Sequence, residues 1–296
     1  MSLYTQKDSN IRKTFLLFTV FLIVIIGIGW VFSRVYGNSI ILVFAVGFSI
    51  FTSFISYWYS DKIVLKLSRA QPIKEEDNRE LYHIVENLCI TAGLPMPRIY
   101  LINEPALNAF ATGRNPEHAV VAVTNGLLEK LNKSELEGVL AHELSHIGNR
   151  DILLSTVAVV LVGFVALLSD FFMRSLIWGR LGGRDGRDRG QAGAIMMMVG
   201  IAMAILSPIA VTLIQLAISR RREFLADADG ALLTRYPEGL ASALQKISLD
   251  KTPLKVANKA TNHLWIASPI KSKIAGWFMT HPPIEERIKR LKEMSI

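Results

Sequence analysis

The chain has 296 residues, is 51% apolar and only 20% charged, and carries a formal net charge of +8 with a mean hydropathy of +0.33. An ordinary soluble globule of this size carries more charge and fewer unbroken apolar runs, so that class is excluded. A single cysteine, Cys89, excludes an intrachain disulfide, and attraction to anionic lipid explains the excess of Lys and Arg better than nucleic acid does.

Two uncharged runs come first, Thr14–Phe32 and Asn38–Ser60, and two more lie at Ile152–Ser169 and Gly190–Ser219. Each is long enough to cross about 30 Å of hydrocarbon as a helix. They predict four hydrophobic helices in two hairpins. The first run follows Arg12 and Lys13, lacks an A-x-A-like cleavage site and is followed at once by a second span, as in an uncleaved signal anchor. Lys7, Arg12 and Lys13 precede the first hairpin, Lys62, Lys66, Arg69 and Lys74 follow it, and only Arg34 lies at its turn. Positive residues stay on the cytoplasmic side, so both ends of the hairpin are expected there.

The hydrophilic block comes next. Residues 76–92 have a helical pattern stopped by Gly93 and Pro95, with Cys89 on the same stripe as Leu81, Ile84, Val85 and Leu88, and so a buried thiol. RIYLIN, LNAFAT and AVVAVT predict a small three-stranded sheet. Helices are expected at 125–131 and 133–149, the second opened by an Asn132/Glu135 capping box. The second membrane hairpin has a basic tip, RSLIWGRLGGRDGRDRGQ, which resists translocation. Full crossing is expected, partial embedding in protein is the alternative, and 182–190 reads as the most mobile stretch. The predicted division is 1–60 as a transmembrane hairpin, 61–151 as the first part of a soluble domain, 152–219 as the second hairpin and 220–296 as the rest of that domain. Neither soluble piece promises a core alone, so the two should pack together.

Chemistry is concentrated in His142-Glu143-Leu144-Ser145-His146. Spacing of four puts both imidazoles on one helix face, where they can share a metal, with Glu143 beside them as a base for a metal-activated water. A catalytic zinc site needs a third protein ligand. Glu223 and Asp227 in SRRREFLADADG also share a helix face. A solvated acidic face beside three arginines is the alternative for them. Topology decides: an antiparallel hairpin opening at Ile152 and closing at Ser219 returns Glu223 to the side where His146 lies. Glu223 is then the third ligand of one Zn2+ per chain, about 10 Å from the lipid surface, and Asp227 holds a ligand imidazole by its other nitrogen. Asn108, Ala109, Phe110 and Ala111 are candidates for an edge strand on which an extended substrate aligns, with an internal strand as the alternative. His83, His118 and His263 have no partner at ligand spacing, and Trp265 is expected in the core.

With NAFATG at 108–113, AVVAVTNGLL at 119–128, LAHELSHIGNRD at 140–151, SRRREFLADADG at 219–230 and HPP at 281–283, the chain resembles the HtpX-type membrane zinc endopeptidases, related to the CaaX-processing membrane proteases. That resemblance implies an α-helical membrane protein with a zincin-like α+β protease domain. It implies metal ligands at His142, His146 and Glu223, a catalytic carboxylate at Glu143, and a protease domain facing the cytoplasm from a multi-pass inner membrane anchor. The substrates it implies are misfolded or damaged membrane proteins, as part of envelope stress quality control. It further implies that His281 stabilises the oxyanion of the tetrahedral intermediate, where residue pattern alone gives helix capping or packing. Two rival classes make different demands. A non-enzymatic scaffold with a structural zinc requires four closed ligands, and a transporter requires polar groups at the bilayer midplane, of which these spans offer few.

Overall fold

The computed structural model describes residues 3–182, 202, 219–256, 261, 264–267 and 282–294. Helices α1 (Leu3–Tyr36) and α2 (Ile40–Leu67) form the first hairpin, and α6 (Asp151–Gly182) is the third long apolar helix. Asp8–Arg34, Ile40–Leu67 and Asp151–Asp170 are long and apolar enough to cross a membrane. The fourth expected run, Gly190–Ser219, lies outside the described residues apart from Ala202 and Ser219, and so does the basic tip beyond Gly182. The part of that tip from Arg174 to Gly182 continues α6 as helix.

The three long helices divide their faces as lipid-embedded helices do. Phe15, Ile23, Ile40, Phe44, Phe51 and Phe54 point outward, fully half exposed or more, while Leu17, Phe21 and Ile25 pack on Leu154, Val157, Ala158 and Leu161. Ser49, Thr52, Ser56 and Ser60 occupy the inner face of α2, where small side chains let helices approach closely. Their hydroxyls can bond to the preceding turn, as Ser56 Oγ does to the Thr52 carbonyl at 2.7 Å.

Among the described residues the sheet has four strands rather than the expected three. They are β1 (Gln71–Pro72), β2 (Arg98–Ile102), β3 (Ala109–Thr112) and β4 (Val120–Thr124), in the order β1-β2-β4-β3. β2 and β4 are parallel, and the two outer pairings are antiparallel. β1 escapes a pattern search because it is two residues long and contains Pro72, which can sit only on an edge. At the β3–β4 turn Gly113 has φ 139°, and a Cβ there would lie 2.5 Å from the His118 carbonyl oxygen.

The remaining described helices are α3 (Arg79–Ala92), α4 (Asn125–Lys130), α5 (Lys133–Gly148), α7 (Arg220–Thr234), α8 (Pro237–Leu249) and α9 (Ile284–Lys292). α3 begins three residues later than the expected position 76 because Asn78 caps it, accepting from the Leu81 amide at 3.0 Å. Its end is the expected Gly93, left-handed at φ 64°. Leu81, Val85, Val121, Leu140 and Leu144 share one core with Ala231, Leu240, Leu244 and Leu291, so segments before α6 and after residue 219 bury a common apolar surface around α5.

Candidate metal centre

α5 is pinned at its start and wedged along its length. Asn132 Oδ1 accepts from the Glu135 amide at 3.0 Å, and Glu135 Oε2 accepts from the Asn132 amide at 2.8 Å, closing the capping box. Lys246 and Ser242 of α8 donate to the same carboxylate at 2.7 and 2.6 Å. Burial opposes ionisation of Glu135, but these hydrogen bonds and the Lys246 charge hold its pKa below the usual carboxylate range. Two glycines bring neighbouring helices into backbone contact with α5. A Cβ on Gly138 would lie 2.6 Å from the Leu240 amide nitrogen of α8, and one on Gly230 of α7 would lie 2.9 Å from the His142 amide nitrogen.

This packing sets three ligand atoms face to face. His142 Nε2 and His146 Nε2 are 3.2 Å apart, and the Glu223 carboxylate lies 3.9 Å from the first and 3.7 Å from the second. One ligand atom from each residue falls within 4.8 Å of the others. His142 is 1% exposed, whereas His146 and Glu223 are 16% and 13% exposed, so the cluster opens on the side of the latter two.

Each imidazole meets a carboxylate on its outer nitrogen. Asp227 Oδ1 lies 3.0 Å from His142 Nδ1, at ion-pair distance though not aligned as a hydrogen bond. Asp151 Oδ2 lies 3.0 Å from His146 Nδ1. Asp227 is the residue the sequence nominated for such a contact. Asp151 is new, and it arrives because Arg150 adopts a left-handed φ of 58° between α5 and α6, turning the first residue of the membrane helix back onto the last ligand. Arg287 of α9 is also new. Buried to 1%, it donates Nε to Asp227 Oδ2 at 2.8 Å and Nη2 to Asp227 Oδ1 at 2.7 Å, donates Nη1 to the Ile266 carbonyl at 3.0 Å, and lies 3.8 Å from Glu223. The sequence signal was a cation on an apolar stripe, one residue before Ile288 in the Ile284, Ile288, Leu291 series.

The charges respond accordingly. Burial opposes ionisation of Asp227, but Arg287 and His142 overcome it and pull the carboxyl down to about 2. Burial lowers the His142 pKa. It also acts against His146, where the Asp151 hydrogen bond and the Glu223 charge prevail and raise the pKa to about 9. Glu143 is pushed up to about 7, chiefly by burial, with Glu223 adding and His146 opposing.

Glu143 follows His142 in α5, is 2% exposed, and feels the Ala111 amide of β3, which favours its charged form. β3 is an edge of the sheet, and the Thr124 amide donates to the Asn108 carbonyl at 3.0 Å. By strand alternation the Ala109 and Ala111 backbone groups therefore turn away from β4, toward α5. The Ala109 carbonyl is engaged by the Ile266 amide at 3.0 Å. Asn108 Nδ2 donates to the Ala267 carbonyl at 3.0 Å, and Phe110 is buried edge-on against Trp265 at 4.9 Å. Trp265 is fully buried in the core. His281 and His263 lie outside the described residues. His83 sits 3.6 Å from Glu86 on the surface and His118 contacts Asn115, both away from the cluster.

Residues 75–295 match the description Peptidase family M48. A "Protease HtpX homolog" of Caldanaerobacter subterraneus subsp. tengcongensis is 45% identical over 297 residues, covering 100% of this chain and 99% of that protein. Another from Tropheryma whipplei (strain Twist) is 46% identical over 296 residues, covering 99% and 98%. One from Syntrophobacter fumaroxidans is 52% identical over 244 residues, covering 81% and 84%. Among solved structures, the crystal structure of S. mikatae Ste24p has a TM-score of 0.51 at 18% identity, with 94% of this chain and 65% of that chain covered, a likeness of fold.

Proposed function

The chain belongs to peptidase family M48, and from that premise we propose that it is a membrane-anchored zinc endopeptidase. It cleaves misfolded or damaged membrane proteins beside the cytoplasmic face of the inner membrane. The observation that carries this reading is the convergence of His142, His146 and Glu223 from two distant segments, with the Glu143 carboxylate next to them in α5.

The donor set fits the metal. Two imidazoles and one carboxylate suit zinc, and carboxylates on the outer nitrogens turn the inner nitrogens toward a common point. Three protein ligands leave a position for substrate, as in catalytic rather than structural zinc sites. A bound zinc supplies Lewis acidity, polarising the scissile carbonyl and easing deprotonation of water.

Glu143 takes the proton of the attacking water and returns it to the leaving amine. Burial is the main force raising the Glu143 carboxyl, which makes its carboxylate a stronger base for that proton than an exposed one. Asp227 and Asp151 hold His142 and His146 in orientation, and Arg287 offsets the charge of Asp227 within the protein. An extended peptide added along β3 meets outward-facing backbone groups at Ala109 and Ala111, exchanging the Ile266 bond for its own. Backbone pairing of this kind accepts many sequences, which suits damaged proteins.

The test is Glu143→Gln in the full chain. Zinc content should remain at one per chain, while casein cleavage falls by about 10²–10⁴-fold. Cleavage at the unaltered rate would remove Glu143 from the reaction.

A further inference from the structure

Beneath His146 lies a buried polar cluster that includes a residue from the first membrane helix. Asn10 of α1 is 1% exposed. Its Nδ2 donates to Asp151 Oδ1 at 2.5 Å and to the Asn149 carbonyl at 3.1 Å. Both neighbours are acceptors, which settles the orientation of the amide: the nitrogen faces them. Asp151 spends its other oxygen on His146 Nδ1 at 3.0 Å, and Arg222 of α7 lies 3.3 Å from Oδ1. Asn149 in turn donates to Asp229 of α7 at 2.9 Å.

We propose that Asn10 is a positioning residue for the metal centre: from a membrane helix it holds the Asp151 carboxylate, which fixes the ring of His146. The inference rests on the metal-site reading above. Its physical basis is that a carboxylate outside a ligand histidine sets the ring's tautomer and tilt only if it is itself held. Asp151 begins α6 just after a left-handed residue, where the backbone alone leaves its side chain free to choose among rotamers. Asn10 contributes one bond that, with Arg222 on the same oxygen, selects one of them across 141 residues of chain, and its second bond, to the Asn149 carbonyl, holds the amide in place. The first span is thereby part of the site and not only an anchor.

Zinc affinity of the full chain, measured against a competing chelator, tests this. Asn10→Ala and Asn10→Ser should each weaken binding about tenfold, with the near-UV dichroism and protease resistance of the metal-free protein unchanged. The cobalt-substituted protein should show displaced visible absorption bands in both variants. In an Asp151→Asn background the same Asn10 replacements should change affinity by less than about twofold, since the partner through which Asn10 acts is already altered. Unchanged affinity in the single variants, or a full tenfold effect in the Asp151→Asn background, would overturn the proposal. So would loss of fold in both single variants, which would assign Asn10 to packing. Failure of the unaltered chain to take up zinc would instead strike the metalloprotease reading itself, and this inference with it.

Discussion

Gly230 controls how closely α7 can carry Glu223 to the histidines, so Gly230→Ala should open the metal centre without touching a ligand. A Cβ there lies 2.9 Å from the His142 amide nitrogen and 3.2 Å from both the Ala141 carbonyl carbon and His142 Cα. All three are backbone atoms of a buried helix and cannot swing aside. Ordinary contact begins near 3.4 Å, so α7 must back away by about 0.5 Å. Glu223, Asp227 and Gly230 stand at positions i, i+4 and i+7 of α7, on one face, so a retreat at Gly230 also draws back the carboxylate about 10 Å along the axis. Metal–ligand distances tolerate about 0.2 Å. The displacement exceeds that, and overpacking itself costs about 1–3 kcal/mol. Zinc affinity should fall about 10–100-fold, and casein cleavage at limiting zinc should fall with it. Chelator competition measures the first and a fluorescent casein assay the second. Gly163→Ala is the control, because a Cβ at Gly163 meets nothing within 4 Å. If Gly230→Ala binds zinc as tightly as the parent, helix approach at Gly230 does not set the ligand geometry.

Asp227→Asn should be costlier than a surface change, since it takes the hydrogen-bonded counter-charge from the buried Arg287 guanidinium and leaves it with Glu223 at 3.8 Å; removing one partner of a buried pair costs about 3–5 kcal/mol, readable as a lowered denaturation midpoint in detergent. Glu135→Gln keeps a side chain able to reach the Asn132 amide but loses the charge that accepts from Lys246 and Ser242, so it should destabilise by about 1–2 kcal/mol, and the difference should depend on pH with a defined sign. The folded pKa of Glu135 is depressed, so its contribution is complete above the ordinary carboxylate value and is lost as pH falls through the folded one. Melting curves of parent and variant should therefore converge on acidification from neutral pH. Chelation should abolish cleavage, and zinc re-addition should restore it together with thermal stability, by about 2.7 kcal/mol at a free concentration one hundred times Kd.

What the chain discloses in one dimension depends on how local each feature is. α5 was readable because its cap, its two-histidine spacing and its neighbours all lie within twenty residues, and the capping box is present at Asn132 and Glu135. The three longer strands were readable from alternation and β-branched content, whereas β1 depends on pairing with β2 and carries no pattern of its own. Asp151 was hidden by its offset of five from His146, which no continuous helix brings onto one face. Only the left-handed Arg150 makes the contact, and nothing about an arginine advertises φ 58°. Arg287 was visible as a charge on an apolar stripe, but its partner lies 60 residues earlier. Asn10 carried no signal at all: its neighbours in sequence are those of a helix approaching a membrane, and its partners are 139 and 141 residues away.

The placement of these partners bears on how the site can form. Asp151 is at once the residue that orients His146 and the first residue of an apolar span, and Arg222, buried beside it, belongs to the first turn of the helix that carries Glu223. Moving α6 relative to α5 therefore moves the hold on a ligand, and moving α7 moves a ligand itself. A soluble domain tethered to a membrane by a linker would show no such dependence, because its ligands would be fixed within its own core. Here the apolar packing of α1 on α6, through Leu17, Phe21, Leu154 and Leu161, sets the positions of Asn10 and Asp151 at the ends of those helices. On the proposed reading, a polypeptide emerging from the lipid meets the cluster at the end where His146 and Glu223 are partly exposed, close to the start of α6.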